Sequence, residues 1–256
     1  RLTKLKKERP IESLKEHKPD SMDYINFRET IESNISQNKI SIIAEIKKAS
    51  PSAGIIIENY NPVDIANIFY KNKATCLSVL TEEDFFLGSL GHIYKIKSKA
   101  NPMDPEGMHI PILCKDFFID PYQVHLAKYY GADAILIILS AVTEKIANQL
   151  YEEALKLDMS VIVEVHTKDE AKYSLKFSDA LIGINNRNLK TLKTDINTTF
   201  TIYDVLVNHN APLISESGLK TKEELLKITE KTKIKTFLIG ESLLKNINKN
   251  SIFSIL

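Results

Sequence analysis

The chain has 256 residues, 43% of them hydrophobic and 26% charged, a balance that excludes a mostly disordered or fibrous protein and leaves length for one α/β barrel. Thirty-four Lys and Arg stand against thirty-three Asp and Glu, a net charge of +1; no global field draws nucleic acid or an anionic membrane, and any anion must be bound locally. The longest apolar run, 134–139, is far below the roughly 20 residues of a membrane span, and the two cysteines, Cys76 and Cys114, lie in separate apolar runs without metal spacing and read as reduced core residues.

The first forty residues precede any strand. They carry a basic stretch, Lys4 to Arg9, that reads as a solvated face, and a weak helical pattern over 25–35. A helical extension is expected there, covering the bottom or flank of the fold. Because the sequence opens at Arg1 and not Met, the first helix reads as cut short and an upstream segment is expected to have been processed or left out. The expected location is the cytoplasm, or a plastid if that segment was a transit peptide.

From residue 41 to 256, short β-rich runs alternate with amphipathic segments. Strands are expected at 41–47, 76–81, 111–115, 134–139, 160–165, 180–185, 212–216 and 236–240, several continuously apolar, as strands covered on both faces should be. Helices are expected at 62–72, 89–98, 121–130, 144–157, 168–177, 197–208, 222–232 and 243–247. Asn61-Pro62 and Asp120-Pro121 offer an N-cap followed by proline, and Thr221 precedes an acidic first turn. Eight strand-helix units predict a (βα)₈ TIM barrel, one catalytic domain behind the extension.

In such a barrel the site forms at the carboxyl ends of the strands. The first strand ends Ala44-Glu45-Ile46-Lys47, and a period of two sends Glu45 and Lys47 into the lumen together. The third ends Lys115-Asp116-Phe117, the fifth carries Glu164 ahead of Val165-His166, the sixth ends Asn185-Asn186-Arg187, the seventh Glu216-Ser217-Gly218 and the eighth Gly240-Glu241-Ser242. Any one buried charge reads as half of a structural ion pair. Three carboxylates and two lysines converging on one lumen mouth read as acid-base machinery. Gly218 and Gly240, two of only eight glycines, follow the strands where barrels commonly bind phosphate, although turn chemistry alone also places glycines there. Ser50 to Gly54, after strand one, is a candidate phosphate-facing segment and lid. His166 points near the top of strand five, more in keeping with a supporting or surface residue than with a general base. His17, His92, His109, His125 and His209 lack ligand spacing, and no metal is expected.

Eight strings now fall into register: IAEIKKASPS at 43–52, SVLTE at 78–82, KDFFIDPYQ at 115–123, GADA at 131–134, VEVH at 163–166, IGINNRNL at 182–189, SESG at 215–218 and LIGESL at 238–243. Together they resemble indole-3-glycerol phosphate synthase from 41 to 245, at every barrel strand. The resemblance implies cofactor-free conversion of 1-(2-carboxyphenylamino)-1-deoxyribulose 5-phosphate to indole-3-glycerol phosphate with loss of carbon dioxide and water. It implies Lys115 as general acid, Glu164 as the base and acid of dehydration, Lys47 as a second acid or carboxylate partner, Glu45 balancing the lysines, and Asn185 and Glu216 hydrogen-bonding the substrate. Arg187 or Lys47 would take the anthranilate carboxylate. Ser50, Ser217, Gly218, Gly240 and Glu241 would hold the phosphate, the last three through backbone N–H groups, and Phe86, Phe117, Leu136 and Leu192 would wall the aromatic ring. A phosphorylated small molecule is the expected partner, on a monomeric chain open to association with a pathway enzyme. The stretch 99–109 is longer than the family pattern and is expected at the bottom of the barrel. Two rival readings are phosphoribosylanthranilate isomerase, whose reaction needs a cysteine base and an aspartate acid at strand ends, and a catalytically retired barrel.

Overall fold

The computed structural model describes residues 1–16, 24–98, 108–245, 247 and 251–256. Eight strands, β1 (Ser41–Ile46), β2 (Cys76–Leu80), β3 (Ile112–Lys115), β4 (Ala134–Ile138), β5 (Ser160–Val165), β6 (Leu181–Asn185), β7 (Leu213–Glu216) and β8 (Thr236–Ile239), pair in parallel in chain order. β1 also pairs with β8, with Ser41 beside Thr236 and Ala44 beside Ile239, and so closes the barrel. Each expected strand is present within about a residue of its ends.

The helices that follow the strands are α4 (Pro62–Lys71), α5 (Leu90–Lys97), α6 (Tyr122–Tyr129), α7 (Glu144–Lys156), α8 (Lys168–Ser174), α9 (Asn197–Leu206), α10 (Lys222–Lys231) and α11 (Glu241–Lys245). Their starts obey the expected cap chemistry. Asn61 accepts from the N–H of Val63, and Thr221 and Glu224 form a reciprocal capping box. At α6 the Asp120 carboxylate accepts from the Tyr122 N–H, and the helix starts one residue later than Pro121. α8 stops at Ser174, three residues short of the expected 177. Among the described residues no helix is long and apolar enough to cross a membrane.

Alternation along the strands divides the core in two. Ile43, Cys76, Leu113, Ala134, Leu136, Ile162, Leu181, Ile214 and Leu238 fill the lumen, while Ile42, Ala44 and Ile46 belong to the outer layer under the helices. α3 (Phe27–Ser36) caps the foot by inserting Phe27 and Ile31, both fully buried. At the same end Asp133 accepts from the N–H groups of Ile25 (2.8 Å) and Ile112 (2.7 Å) and pairs with Lys97 at 2.6 Å.

The first two helices, α1 (Leu2–Glu8) and α2 (Ile11–Glu16), are separated at Pro10, which cannot donate a helical hydrogen bond. They pack on the flank as expected, but α1 also reaches the upper rim. Arg1 donates to the Thr81 carbonyl and pairs with Asp116 at 3.3 Å, and the Tyr122 hydroxyl donates to the carbonyls of Leu5 and Arg9. The basic stretch 4–9 is therefore not simply a solvated face: Lys6 pairs with Asp120 at 2.6 Å and Arg9 stacks over the Tyr129 ring. The loop after β1 contains a small antiparallel hairpin of Ala49–Ser50 with Gly54–Ile55, turned by Gly54 at φ 65°. His17, residues 99–107 of the long stretch before β3, and residue 246 of the expected last helix lie outside the described residues.

Candidate active site

A cavity of about 790 Å³ opens at the carboxyl ends of the strands, a size suited to one small organic ligand. Its wall includes Glu45, Lys47, Ser50, Phe86, Lys115, Phe117, Leu136, Glu164, Asn185, Arg187, Leu192, Ser217, Gly218, Gly240 and Glu241. Every residue to which the resemblance gives a catalytic or binding part borders it except Glu216, which lies just beneath, against Lys115.

Lys115 is the centre. Its ammonium stands 2.8 Å from Glu216, 3.7 Å from Glu164 and 3.8 Å from Glu45, so β3 presents one cation to carboxylates from β7, β5 and β1. Lys47 pairs with Glu45 at 2.5 Å across the period-two repeat of β1. Asn185 at the end of β6 donates to Glu164 at 3.0 Å and accepts from the Arg187 N–H. Burial by itself would discharge Lys115, but the fields of Glu216, Glu164 and Glu45 outweigh it and hold the ammonium well above the usual lysine range. Burial likewise pushes Glu45 up, and Lys47 with Lys115 brings it below its ordinary value.

The other two carboxylates part company. Burial drives Glu216 up to about 7, with Lys115 only partly offsetting it and the charge of Glu164 adding to the rise. Burial pushes Glu164 the same way, yet His166, Lys115 and Asn185 together hold it down at about 2. Near neutral pH the ring therefore contains two ionised carboxylates, Glu45 and Glu164, and one, Glu216, that is exchanging its proton.

Backbone geometry at two glycines is set by this ring and its wall. A side-chain carbon on Gly240 would collide with Glu45 Oε1 and come within 3.0 Å of Lys47 Nζ, so the absence of a side chain there leaves room for the charge pair. Ser217 and Gly218 both adopt left-handed φ, 67° and 74°, and a carbon on Gly218 would lie 2.7 Å from Thr194 Cβ. Glu241 is tied to Lys245 at 2.6 Å, and Arg187 donates to the Leu192 carbonyl at 2.7 Å.

Some wall residues had no individual signal in the sequence. Glu82 accepts from three successive N–H groups, those of Asp84, Phe85 and Phe86, and so shapes the loop that presents both phenylalanines. Phe85, Leu80, Ile138 and Leu189 join the apolar wall. His166 is largely buried and not a surface residue, with its Nε2 3.2 Å from Glu164. The cysteines do not suit an isomerase: Cys76 lies in the lumen at the start of β2, Cys114 faces the outer layer, and burial pushes both thiols up.

A family model described as indole-3-glycerol phosphate synthase matches residues 1–255. The indole-3-glycerol phosphate synthase of Legionella pneumophila (strain Paris) is 40% identical over 246 residues, covering 95% of this chain and 90% of that one, and that of Dehalococcoides mccartyi (strain CBDB1) is 39% identical over 210, covering 82% and 78%. The tryptophan biosynthesis protein TrpCF of Buchnera aphidicola subsp. Acyrthosiphon pisum (strain APS) is 41% identical over 215 residues, 84% of this chain and 45% of that longer protein. Among solved structures, 3-hexulose-6-phosphate synthase from Salmonella typhimurium superposes with a TM-score of 0.64 at 10% identity, over 85% of this chain and 98% of that one. Tryptophan synthase from M. tuberculosis superposes with a TM-score of 0.61 at 8% identity, over 90% and 96%. These two share the barrel. A family model spanning nearly the whole chain, and relatives at about 40% identity over most of both lengths, place the chain in the indole-3-glycerol phosphate synthase family, carboxy-lyases of tryptophan biosynthesis.

Proposed function

We propose that the cavity binds 1-(2-carboxyphenylamino)-1-deoxyribulose 5-phosphate and closes its ring, with Lys115 as general acid, Glu164 as base and acid of the dehydration, and Lys47 as second acid. The observation that carries this reading is the single ammonium of Lys115 on the cavity floor, enclosed by Glu45, Glu164 and Glu216.

Attack by the carboxylate-bearing aromatic carbon on the ribulose carbonyl builds negative charge on the carbonyl oxygen, where a buried ammonium stabilises it most. An ammonium held by three carboxylates gives up its proton poorly. Each proton taken by Glu216 removes one of those carboxylates and returns Lys115 toward ordinary acidity. Loss of carbon dioxide then restores the aromatic ring. Dehydration needs a base that is ionised at neutral pH, which Glu164 is, and a proton for the departing hydroxyl, which Lys47 beside Glu45 can give. None of these steps passes electrons to an acceptor, so side chains suffice and no cofactor is called for.

Asn185 would hydrogen-bond the reacting nitrogen or a hydroxyl, and Arg187 or Lys47 would meet the anthranilate carboxylate. Phosphate would sit against Ser50, Ser217, Gly218, Gly240 and Glu241, through N–H groups at the last three. Phe86, Phe117, Leu136 and Leu192 would flank the ring. The test is indole-3-glycerol phosphate formation, followed by fluorescence, with the parent, Lys115→Ala and Glu164→Gln. Turnover by the parent and a loss of about 10² to 10⁴ in Lys115→Ala are expected. A folded parent that neither binds nor turns over this substrate would overturn the reading.

A further inference from the structure

Glu164 and Glu216 both reach the same ammonium, and what stands behind them differs. Glu164 Oε1 faces the Asn185 amide at 3.0 Å and the His166 Nε2 at 3.2 Å, while its Oε2 faces Lys115. The Nε2–H is turned off the line to Oε1, so the contact is an ion pair and not an aligned hydrogen bond. Glu216 has Lys115 on Oε2, but its Oε1 is buried against Gly183 without a hydrogen-bond partner. His166 is itself braced: its Nδ1 lies 3.4 Å from Glu170 Oε2, and the same oxygen accepts the His166 backbone N–H at 2.7 Å.

We propose that His166, clamped between Glu164 and Glu170, is the positioning residue that makes Glu164 the ionised base of the ring and leaves Glu216 as the carboxyl that carries a proton. The proposal rests on the catalytic reading above. Two carboxylates competing for one ammonium cannot both stay charged in a buried site, and the one given a second cation keeps its charge. The groups facing His166 favour that cation. They are Glu164 from β5, Glu170 and Lys168 from α8, and Asp195 ahead of α9, which shares a small side cavity with the imidazole. Beyond Glu164 lies Lys115 from β3. Burial lowers the affinity of the imidazole for its proton, and Glu164 with Glu170 reverses this, raising its pKa to about 9. The sequence pattern VEVH sets Glu164 and His166 on one side of the strand, and α8 returns Glu170 one helical turn later.

The experiment is the pH dependence of kcat and kcat/KM from pH 5 to 9 for the parent, His166→Gln and Glu170→Gln. In His166→Gln the proton that the ring takes up as pH falls through about 7 is expected to settle on Glu164 as well as on Glu216, so that an acid limb moves up into this window and activity falls by up to roughly tenfold more at pH 6 than at pH 8, with KM little changed. Glu170→Gln is expected to move the same limb less, and it carries the test if His166→Gln does not fold. A loss of equal size at every pH, or no loss, would overturn the proposal. A parent without turnover would instead count against the catalytic reading. In that case carbon-13 titration of the glutamate carboxyls, with Glu164 identified by its disappearance in Glu164→Gln, decides the matter: a Glu164 signal that titrates at higher pH in His166→Gln or Glu170→Gln than in the parent supports it, and an unmoved one overturns it.

Discussion

At the foot of the barrel Lys97 pairs with Asp133, whose carboxylate also accepts from the N–H groups of Ile25 and Ile112. At the mouth Lys115 meets three carboxylates, and one buried oxygen of Glu216 has no partner at all. The first arrangement gives each oxygen of its carboxylate a partner. The second sets three carboxylates against two lysines, Lys115 and the Lys47 paired with Glu45, and leaves Glu216 able to take up a proton. Balance at the foot holds α3, α5 and the start of β3 together. Imbalance at the mouth is what proton-transfer chemistry requires.

The contrast can be broken most forcefully at the foot. Lys97→Met leaves Asp133 buried and without its cation, and is expected to lower stability by about 3–5 kcal/mol in urea melts while leaving kcat per folded molecule unchanged. At the mouth the effect depends on pH. The folded pKa of Glu216, about 7, lies above its ordinary 4.5, so its contribution is fully present below 4.5 and is lost as pH rises through 7. Melts of Glu216→Gln and the parent should therefore diverge by about 3 kcal/mol in favour of the variant between pH 4.5 and 8, and a constant difference would deny the imbalance. Gly240→Ala drives a carbon into the Glu45–Lys47 pair. A loss of about 1–3 kcal/mol is expected, with activity down on the order of 10- to 100-fold. The smallest effect is again at the foot, where Asn34 donates to the hydroxyls of Ser41 and Thr75; Asn34→Ala should cost about 1 kcal/mol and spare activity.

The fold was legible because parallel barrel strands are buried on both faces and so stand out as short apolar runs between helices. The site was legible where a local period decides direction, as at Glu45 and Lys47, or where a strand end must face the mouth, as at Lys115 and Asn185. Other features depend on contacts between distant parts of the chain, which no period encodes. Arg1 reaches Asp116 across 115 positions, and nothing local in the basic stretch announces that Lys6 and Arg9 will find partners on α6 and the loop before it. Glu216 shows the same limit in the site: its place on β7 is readable, whereas its burial beneath Lys115, out of the cavity wall, follows from Gly183 on the neighbouring strand making room for it.

The closure of the sheet has one more consequence. β1 supplies Glu45 and Lys47, β8 leads into the Gly240 that accommodates them, and these first and last strands are hydrogen-bonded to each other. During synthesis β1 waits with one edge bare while every other strand is translated. The Glu45–Lys47 pair gains its final neighbour only when the seam zips, so a nascent chain still lacking β8 has an open barrel and no Gly240 beside that pair.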